Sequence, residues 1–255
     1  MSREIAVRSC HGLEEYRGCI DLQKEVWNFS DLDVVPLRLF VVAEKVGGQI
    51  IGAFDGEQMV GFAMSVPGTR GGHPYLHSHM LAVRESYRNL GLGQRLKLKQ
   101  REDALARGFE LIEWTFDPLE IKNAHLNIER LGAIARRYTI NQYGTTSSPL
   151  HGGLPTDRLV AEWWLRSRRV ETLLATGKRP EFATEKIIEV PGKISEWKAS
   201  PDGRDKARDV QQRNREDFLR CFAGGLAVLG YERDAQGNGH FLLGRWDEKW
   251  SYASE

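Results

Sequence analysis

Two histidines with strand spacing, His77 and His79, are the residues of this sequence best suited to proton transfer. Imidazole has an ordinary pKa of ~6.5, so a histidine near neutral pH is largely uncharged and can accept a proton from an attacking group. Residues two apart in an extended strand project from the same face, so the pattern predicts that His77, His79, Leu81 and Val83 share one face. The pair is therefore a candidate general base.

Other chemistry is open to the same residues. A hydrogen-bonded core histidine is the structural alternative, and zinc binding is another, which would need a further ligand such as His73 or His125. Glu113 and Asp117, on the next predicted strand, are rival carboxylate bases. We predict proton chemistry and no metal site.

A second chemically suited group follows the histidines directly. Arg88, Gly91 and Gly93 stand where the strand pattern gives way to apolar residues at helical spacing, over residues 91 to about 107. The free N–H groups of a helix start bind phosphate, glycine lets a ligand approach the backbone, and arginine offers a forked donor. These residues predict a diphosphate site.

The spacing of the glycines distinguishes between diphosphate motifs. A dinucleotide-binding Gly-x-Gly-x-x-Gly would need a glycine where Leu96 stands, and the Gly-Lys-Ser/Thr ending of a P-loop is missing from the sequence. The series Leu81-Ala-Val83, then Arg88-Asn-Leu-Gly91-Leu-Gly93, then a helix resembles the coenzyme A motif of the GNAT superfamily of N-acetyltransferases. The resemblance covers about residues 4–166.

The resemblance implies an α/β acyl-CoA N-acyltransferase fold, with a mixed, mostly antiparallel sheet flanked by helices. It also implies acetyl-CoA, or another acyl-CoA, as co-substrate, and acyl transfer to the amine of a small molecule by direct attack in a ternary complex. The backbone of residues 81–83 would pair with the pantetheine arm and donate an N–H to the thioester oxygen. The residues implied in coenzyme binding are Leu81, Ala82, Val83, Arg88, Asn89, Leu90, Gly91, Leu92, Gly93, Gln94 and Asn123.

At a finer level, residues 77–93 are similar to arylalkylamine N-acetyltransferases, in which two histidines relay the proton of the amine. This likeness implies that His77 removes the proton, directly or through water, and that His79 orients it. It is local, and does not by itself identify the acceptor.

The general acid departs from the family pattern. Many members have a tyrosine four residues before the glycine that ends the helix, where it protonates the coenzyme A thiolate, but this chain has Ile128 before Gly132. Tyr138 and Tyr143, on the strand predicted at 135–143, are the substitutes, with buried structural tyrosines as the alternative. A catalytically silent acyl-CoA-binding or regulatory module is therefore the second functional hypothesis.

The elements that would position these residues follow from periodicity and turn residues. We expect a surface loop at 67–74 and a long loop at 144–157, and residues 166–201 have no clear pattern. The predicted strands are 4–10, 49–54, 58–66, 75–83, 111–117, 135–143, 158–165, 225–231 and 240–246, and the predicted helices are 13–28, 37–46, 91–107, 120–131 and 205–222. Residues 1–166 would form the acetyltransferase domain, and 167–255 a C-terminal helix-plus-hairpin extension packed on it.

The amino-acid composition indicates which classes of partner to expect. The 255 residues carry 36 Lys+Arg against 35 Asp+Glu, and a net charge of +1 gives no global attraction to nucleic acid or anionic lipid. The three cysteines lack metal-site spacing and suit a reducing compartment, and no apolar run approaches the ~20 residues of a membrane span. We expect a cytoplasmic protein with a small-molecule amine as partner, without nucleic acid or membrane, and leave a homodimer open. Basic residues 95–107 leave nucleic-acid binding as a minor alternative.

Overall fold

The computed structural model describes residues 4–144 and 153–252, which form two compact units. Residues 4–113 with 251–252 make up the first unit, and residues 114–144 with 153–250 make up the second. The expected α/β class, with a largely antiparallel sheet flanked by helices, is confirmed. The predicted long loop at 144–157 falls mostly outside the described residues.

The first unit consists of consecutive strands and three helices. Its strands are β1 (Ala6–Ser9), β2 (Gln49–Asp55), β3 (Gln58–Arg70), β4 (His73–Val83) and the first half of β5 (Leu111–Phe116). Its helices are α1 (Gly12–Trp27), α2 (Leu37–Lys45) and α3 (Leu92–Ala106). Pairing is antiparallel from β1 through β4, and β4 pairs with β5 in parallel.

Side-chain alternation along β2 separates two apolar cores. Ile50 packs in a cluster with Phe40 of α2 and with residues of α1, whereas Ile51 packs with Leu96 of α3. Consecutive strand residues project to opposite faces, so α1 and α2 cover one face of this sheet and α3 covers the other. Strand β4 therefore has a different helical neighbour on each face.

The second unit is also a sheet with helices. Its remaining strands are β6 (Ile134–Thr139), β7 (Arg158–Trp164), β8 (Lys186–Val190), β9 (Leu226–Arg233) and β10 (Gly239–Arg245). Its helices are α4 (Ile121–Ala124), α5 (Arg168–Thr176), α6 (Ile194–Ala199) and α7 (Arg204–Ala223). The strand order, starting from the end of β5, is β5-β7-β6-β9-β10-β8.

Helix α4 continues as a π-helix, His125–Arg130. The N–H of Leu131 donates to the carbonyl oxygen of Leu126 at 3.0 Å, a span of five residues. The extra residue of a π-turn rotates the side chains that follow it relative to a regular helix. Ile128, the residue at the position of the family's tyrosine, is fully buried.

The predicted surface loop at 67–74 is wrong. Strand β3 runs to Arg70 and β4 starts at His73, and the two pair up to the turn at Gly71 and Gly72, both with positive φ. Glycines with positive φ suit the tight hairpin turns that match strand twist. Pro67 is tolerated because β2 pairs with β3 only as far as Ser65, so no β2 partner is described for the proline.

Two other boundaries also differ from expectation. Strand β6 ends at Thr139, so Tyr143 lies beyond the strand, because Asn141 has a φ of 47° that extended backbone does not allow. The unassigned stretch 166–201 contains α5, β8 and α6, each of nine residues or fewer. Elements this short carry too few turns or alternations for a clear periodic signal.

Candidate active site

Strand β4 carries the histidine pair, and its pairing with β3 slips next to His79. Met64 lies opposite Met80, and Ser65 lies opposite Ser78, so His79 has no register partner of its own. One extra residue on one strand of an antiparallel pair is a β-bulge, a feature found often next to active sites.

The bulge shifts the side-chain alternation of β4. Ser78 hydrogen-bonds to side chains of α3, whereas Met80 packs in the core beneath α1 and α2. Leu81 and Val83 pack on the α3 core. Because neighbouring residues of a strand project to opposite faces, the side chain of His77 lies on the face away from that of Ser78. His77 is therefore on the other face from Leu81 and Val83. The prediction that both histidines share a face with Leu81 and Val83 is wrong.

His77 is half-buried beside a buried ion pair. Its register partner across the parallel pairing is Glu113, which is 3% exposed and accepts a 2.8 Å hydrogen bond from Arg70. Burial lowers the pKa of His77, the Glu113 carboxylate partly opposes that shift, and His79, Lys97 and Arg70 add to it. The imidazole is thus held in the neutral form that accepts a proton.

His79 is exposed, and its ring lies next to that of His77. The ring centroids are 6.4 Å apart and the planes are inclined by 38°. Partial burial of the ring lowers the pKa of His79 as well. The two predicted proton carriers are neighbours despite the bulge.

The turn into α3 has the properties of an anion site. Gly91 is the N-cap residue with a φ of 75°, and a Cβ built on it would meet no atom within 4 Å. Among the described residues no side chain caps this helix, and its first turn contains no acidic residue. The first-turn N–H groups and the positive end of the dipole are therefore available to a phosphate, as the coenzyme's diphosphate requires.

The other predicted turn residues surround this helix start. Arg88 is exposed, with its Nε donating to the carbonyl oxygen of Val83 at 3.3 Å, and Asn89 has a φ of 63°. Leu90 is exposed, Leu92 is buried in the α3 core, and Gly93 and Gln94 are half-buried. The predicted residues from Arg88 to Gln94 thus form the turn and the first three residues of α3.

The end of β4 is paired on one edge. Leu81, Ala82 and Val83 pair with Ala63, Phe62 and Gly61 of β3, whereas the pairing with β5 covers Leu76 and His77. Within the first unit, the other edge of residues 81–83 meets no described strand. The backbone groups along that edge are the ones predicted to meet the pantetheine arm.

The predicted tyrosines and Asn123 lie in the second unit. Asn123 is exposed on α4. The Tyr138 hydroxyl donates to Asp157 at 2.7 Å and its ring stacks on Phe218. Burial and the Asp157 carboxylate raise the pKa of Tyr138 strongly. The Tyr138 hydroxyl therefore donates its proton in a hydrogen bond to a fully buried carboxylate.

Tyr143 has a different environment. Its side chain is 49% exposed, its hydroxyl lies 3.1 Å from that of Thr115, and the Arg158 guanidinium lies 5.4 Å from its ring centre. The backbone N–H of Tyr143 donates to Thr156, which holds the turn after β6 in place. Of the two tyrosines, Tyr143 has the hydroxyl that a reactant can reach.

Sequence reasoning missed a buried polar group behind the histidines. Ser78, Lys97 and Gln100 are each at most 4% exposed and hydrogen-bond to one another between β4 and α3. A signal existed in the sequence, because Lys97 and Gln100 fall between Leu96 and Ala104, on the helical face expected to be apolar.

In residues 4–144 and 153–252, no cluster of three or more His, Cys, Asp or Glu side chains could hold a metal ion. None of the helices in the same ranges is long and apolar enough to cross a membrane.

Comparison with known families finds a match to an acetyltransferase family. Residues 13–132 match the model of the Acetyltransferase (GNAT) family, a stretch that includes β4, the glycine turn, α3 and the π-helix. No curated protein matches the chain in sequence.

The match to solved structures of the same fold extends over nearly the full length of those structures. The ribosomal-protein-S18-alanine N-acetyltransferase from Escherichia coli is 15% identical, with a TM-score of 0.52 over 64% of this chain and 96% of that one. Aminoglycoside 6'-acetyltransferase type Ii is 17% identical, with a TM-score of 0.51 over 64% and 99%. Arabidopsis thaliana NAA60, in complex with a bisubstrate analogue, is 13% identical, with a TM-score of 0.51 over 63% and 98%. At such identities the likeness concerns the fold.

Proposed function

Since residues 13–132 match the model of the acetyltransferase (GNAT) family, we propose that this protein transfers the acyl group of acetyl-CoA to the amine of a small molecule. The amine attacks the thioester directly, with both substrates bound. The uncapped start of α3, eight residues after the end of the histidine-bearing strand, is the observation that carries this proposal.

The coenzyme site comprises the turn and the strand end. N–H groups at the start of α3, with Arg88 beside them, hold the diphosphate, and the open space above Gly91 admits it. The backbone of Leu81, Ala82 and Val83 pairs with the pantetheine arm along the edge that β3 does not use. An N–H there also stabilises the negative charge that develops on the thioester oxygen.

In this proposal His77 removes the proton, and His79 orients the His77 ring. As the nitrogen–carbon bond forms, the amine nitrogen must lose a proton, and a neutral imidazole accepts one near pH 7. Burial keeps His77 neutral, and the nearby Glu113 carboxylate favours the imidazolium that follows proton uptake. The Glu113 carboxylate is itself paired with Arg70, so it is already engaged by a cation.

Proton return to the departing thiolate falls to Tyr143. The carbon–sulfur bond breaks as the amide forms, and the thiolate needs a proton donor. The Tyr143 hydroxyl belongs to an exposed side chain, which supports this role. The Tyr138 hydroxyl donates to buried Asp157, which supports a structural role.

A small-molecule acceptor is the finer part of the proposal. Proteins of this fold include a ribosomal-protein-S18-alanine N-acetyltransferase and an aminoglycoside 6'-acetyltransferase, so the fold itself allows both kinds of acceptor. The His77-x-His79 pattern, similar to that of arylalkylamine enzymes, favours a small amine. A cytosolic location and action without nucleic acid or membrane complete the proposal.

The test combines binding and product formation. Thermal shift with acetyl-CoA reports binding, and chromatography of a mixture with a panel of small primary amines reports the acetylated product. Stabilisation together with product formation supports the enzyme. Stabilisation without product from any amine, or from a peptide panel run in parallel, favours the silent acyl-CoA-binding module, for which buried Ile128 in place of a tyrosine is the supporting observation. A peptide product alone would overturn the small-molecule acceptor.

A further inference from the structure

Helix α3 buries a lysine on its inner face. Lys97 is 2% exposed and Gln100, one turn later, is fully buried. Lysine is almost never fully buried unless it is paired, because removing its charge from water is costly. The position of Lys97 inside the unit therefore calls for a physical reason.

The partner of Lys97 lies next to the bulge. Lys97 Nζ donates to Ser78 Oγ at 2.7 Å, and the Ser78 hydroxyl donates to Gln100 Oε1 at 3.0 Å. Ser78 is the residue just before His79, the unpaired residue of β4. The helix thus holds the strand at the point where its register slips.

The same network reaches the opposing strand. Ser65, the register partner of Ser78, donates to Gln49 Oε1 at 2.9 Å, and Gln49 Nε2 donates to the backbone carbonyl of Gln100 at 2.8 Å. Both residues of the pair at the slip are therefore tied into one buried polar group against α3.

This network and the apolar core together explain the bulge. The polar group on α3 holds Ser78 on the α3 face, and the core beneath α1 and α2 holds Met80 on the opposite face. In a regular strand Ser78 and Met80, which are two residues apart, would project from the same face. Because they project from opposite faces, the residue between them must be the extra residue of the bulge. That residue is His79.

We propose that Lys97 is a positioning residue, which holds Ser78 and the β4 bulge so that His77 and His79 are set for proton removal; this inference rests on the proposed function. Lys97 is buried behind the strand, so its role is to fix the strand that carries the base. Burial also lowers the pKa of Lys97 well below its ordinary value, and the amine can donate to Ser78 in either protonation state.

The test substitutes the lysine without opening a cavity. Lys97→Met keeps an unbranched chain of similar length and removes the donor. Lys99→Met is the matched control, because Lys99 lies on the same helix and pairs with Glu102 near the surface. Ser78→Ala/Lys97→Met removes the donor and the acceptor of this hydrogen bond together, so neither side chain is left facing a lost partner, and Gln100 loses only the Ser78 donor. Thermal melts of both variants show whether the protein still folds.

Turnover is compared with and without the histidines. In the wild-type background we expect Lys97→Met and Ser78→Ala/Lys97→Met to lower kcat about 10- to 100-fold, the loss typical of a misplaced reacting group, with the KM for acetyl-CoA unchanged. In a His77→Ala/His79→Ala background the same changes should cause no further loss, because the groups they position are gone. An equal loss in both backgrounds, or wild-type kcat, overturns the proposal.

An NMR titration of the imidazoles keeps the proposal testable without any acceptor. The groups around His77 are His79 on β4, Glu113 on β5, Arg70 on β3 and Lys97 on α3. Lys97 lowers the pKa of His77, so that pKa should rise in Lys97→Met and stay unchanged in Lys99→Met. An unchanged His77 titration in Lys97→Met overturns the positioning role. A shifted titration in a protein that acetylates nothing supports that role and rejects the proposed function instead.

Discussion

His77 is a base whose surroundings work in two directions. Burial disfavours its charged form, while Glu113 on the neighbouring strand favours it, and the balance lowers its pKa. A lowered pKa means that the imidazole stays neutral until the pH falls below its ordinary ~6.5. The acidic limb of the rate profile should therefore lie below that value, since activity is lost only as His77 becomes protonated.

The double variant His77→Ala/His79→Ala tests the pair directly. Loss of a general base typically lowers the rate by ~10²–10⁴ with little effect on ligand binding. We expect kcat to fall within that range, the acidic limb to disappear, and acetyl-CoA binding to stay at the wild-type level. His11→Ala, a change at an exposed histidine before α1, is the control. Wild-type turnover in the double variant at several pH values would shift the assignment to Glu113 or Asp117.

The two tyrosines should respond oppositely to loss of their hydroxyl. Tyr143→Phe removes a reachable proton donor, so we expect slower turnover and an unchanged melting temperature. Tyr138→Phe leaves Asp157 without a buried donor, although Arg215 still pairs with that carboxylate, so we expect a stability loss of about 1–3 kcal/mol. Turnover and thermal melts of both variants check this. Normal turnover in Tyr143→Phe contradicts its role as the acid.

At the scale of elements, the start of α3 is the feature on which coenzyme binding depends. Gly91→Val adds a branched side chain at a positive φ, in the open space proposed for the diphosphate. Gly56→Val in the β2–β3 turn is a matched control, because Gly56 also has a positive φ and open space. Thermal shift should show stabilisation by acetyl-CoA in the control and none in Gly91→Val. Equal stabilisation in both would move the coenzyme elsewhere.

The sequence predicted α3 well because its start is marked locally by Gly91 and its body by periodic leucines. The bulge at His79 could not be predicted in that way, because it results from two long-range interactions. Ser78 hydrogen-bonds to side chains of α3, and Met80 packs in the core beneath α1 and α2. Similarly, the π-turn in His125–Arg130 leaves the apolar pattern of a helix intact, so sequence periodicity predicts a helix without its register. Prolines and glycines in 67–74 suggested a loop, but Gly71 and Gly72 concentrate the turn in two residues.

At the scale of the whole molecule, residues 167–250 contribute to the sheet of the second unit. Strand β9 pairs with β6 at Ala135 and Val228, and Phe218 of α7 stacks on Tyr138 at 5.8 Å. A fragment ending at residue 166 would lose both partners and expose apolar surface. We therefore expect it to be poorly soluble and to melt at a lower temperature. A soluble fragment with an unchanged melting temperature would make the C-terminal region dispensable for folding.

A single substitution tests the same point in the full chain. Phe218 is fully buried, and Phe→Ala changes in cores typically cost ~3–5 kcal/mol. Leu219→Ala, at the next residue and 39% exposed, is the matched control, expected to change stability little. Denaturant unfolding of the two variants checks this. Similar unfolding midpoints would show that α7 does not support the second unit.

The steady-state kinetics of free-thiol release from acetyl-CoA, with an acceptor amine found in the panel, test the central claim most directly. The turn into α3 is proposed to bind the coenzyme and the histidine pair to remove the proton, so changes at the two places should affect different constants. We predict that Gly91→Val raises the KM for acetyl-CoA and that His77→Ala/His79→Ala lowers kcat with that KM unchanged. Wild-type constants in both variants, or the same loss of kcat at an unchanged KM in both, would contradict the account.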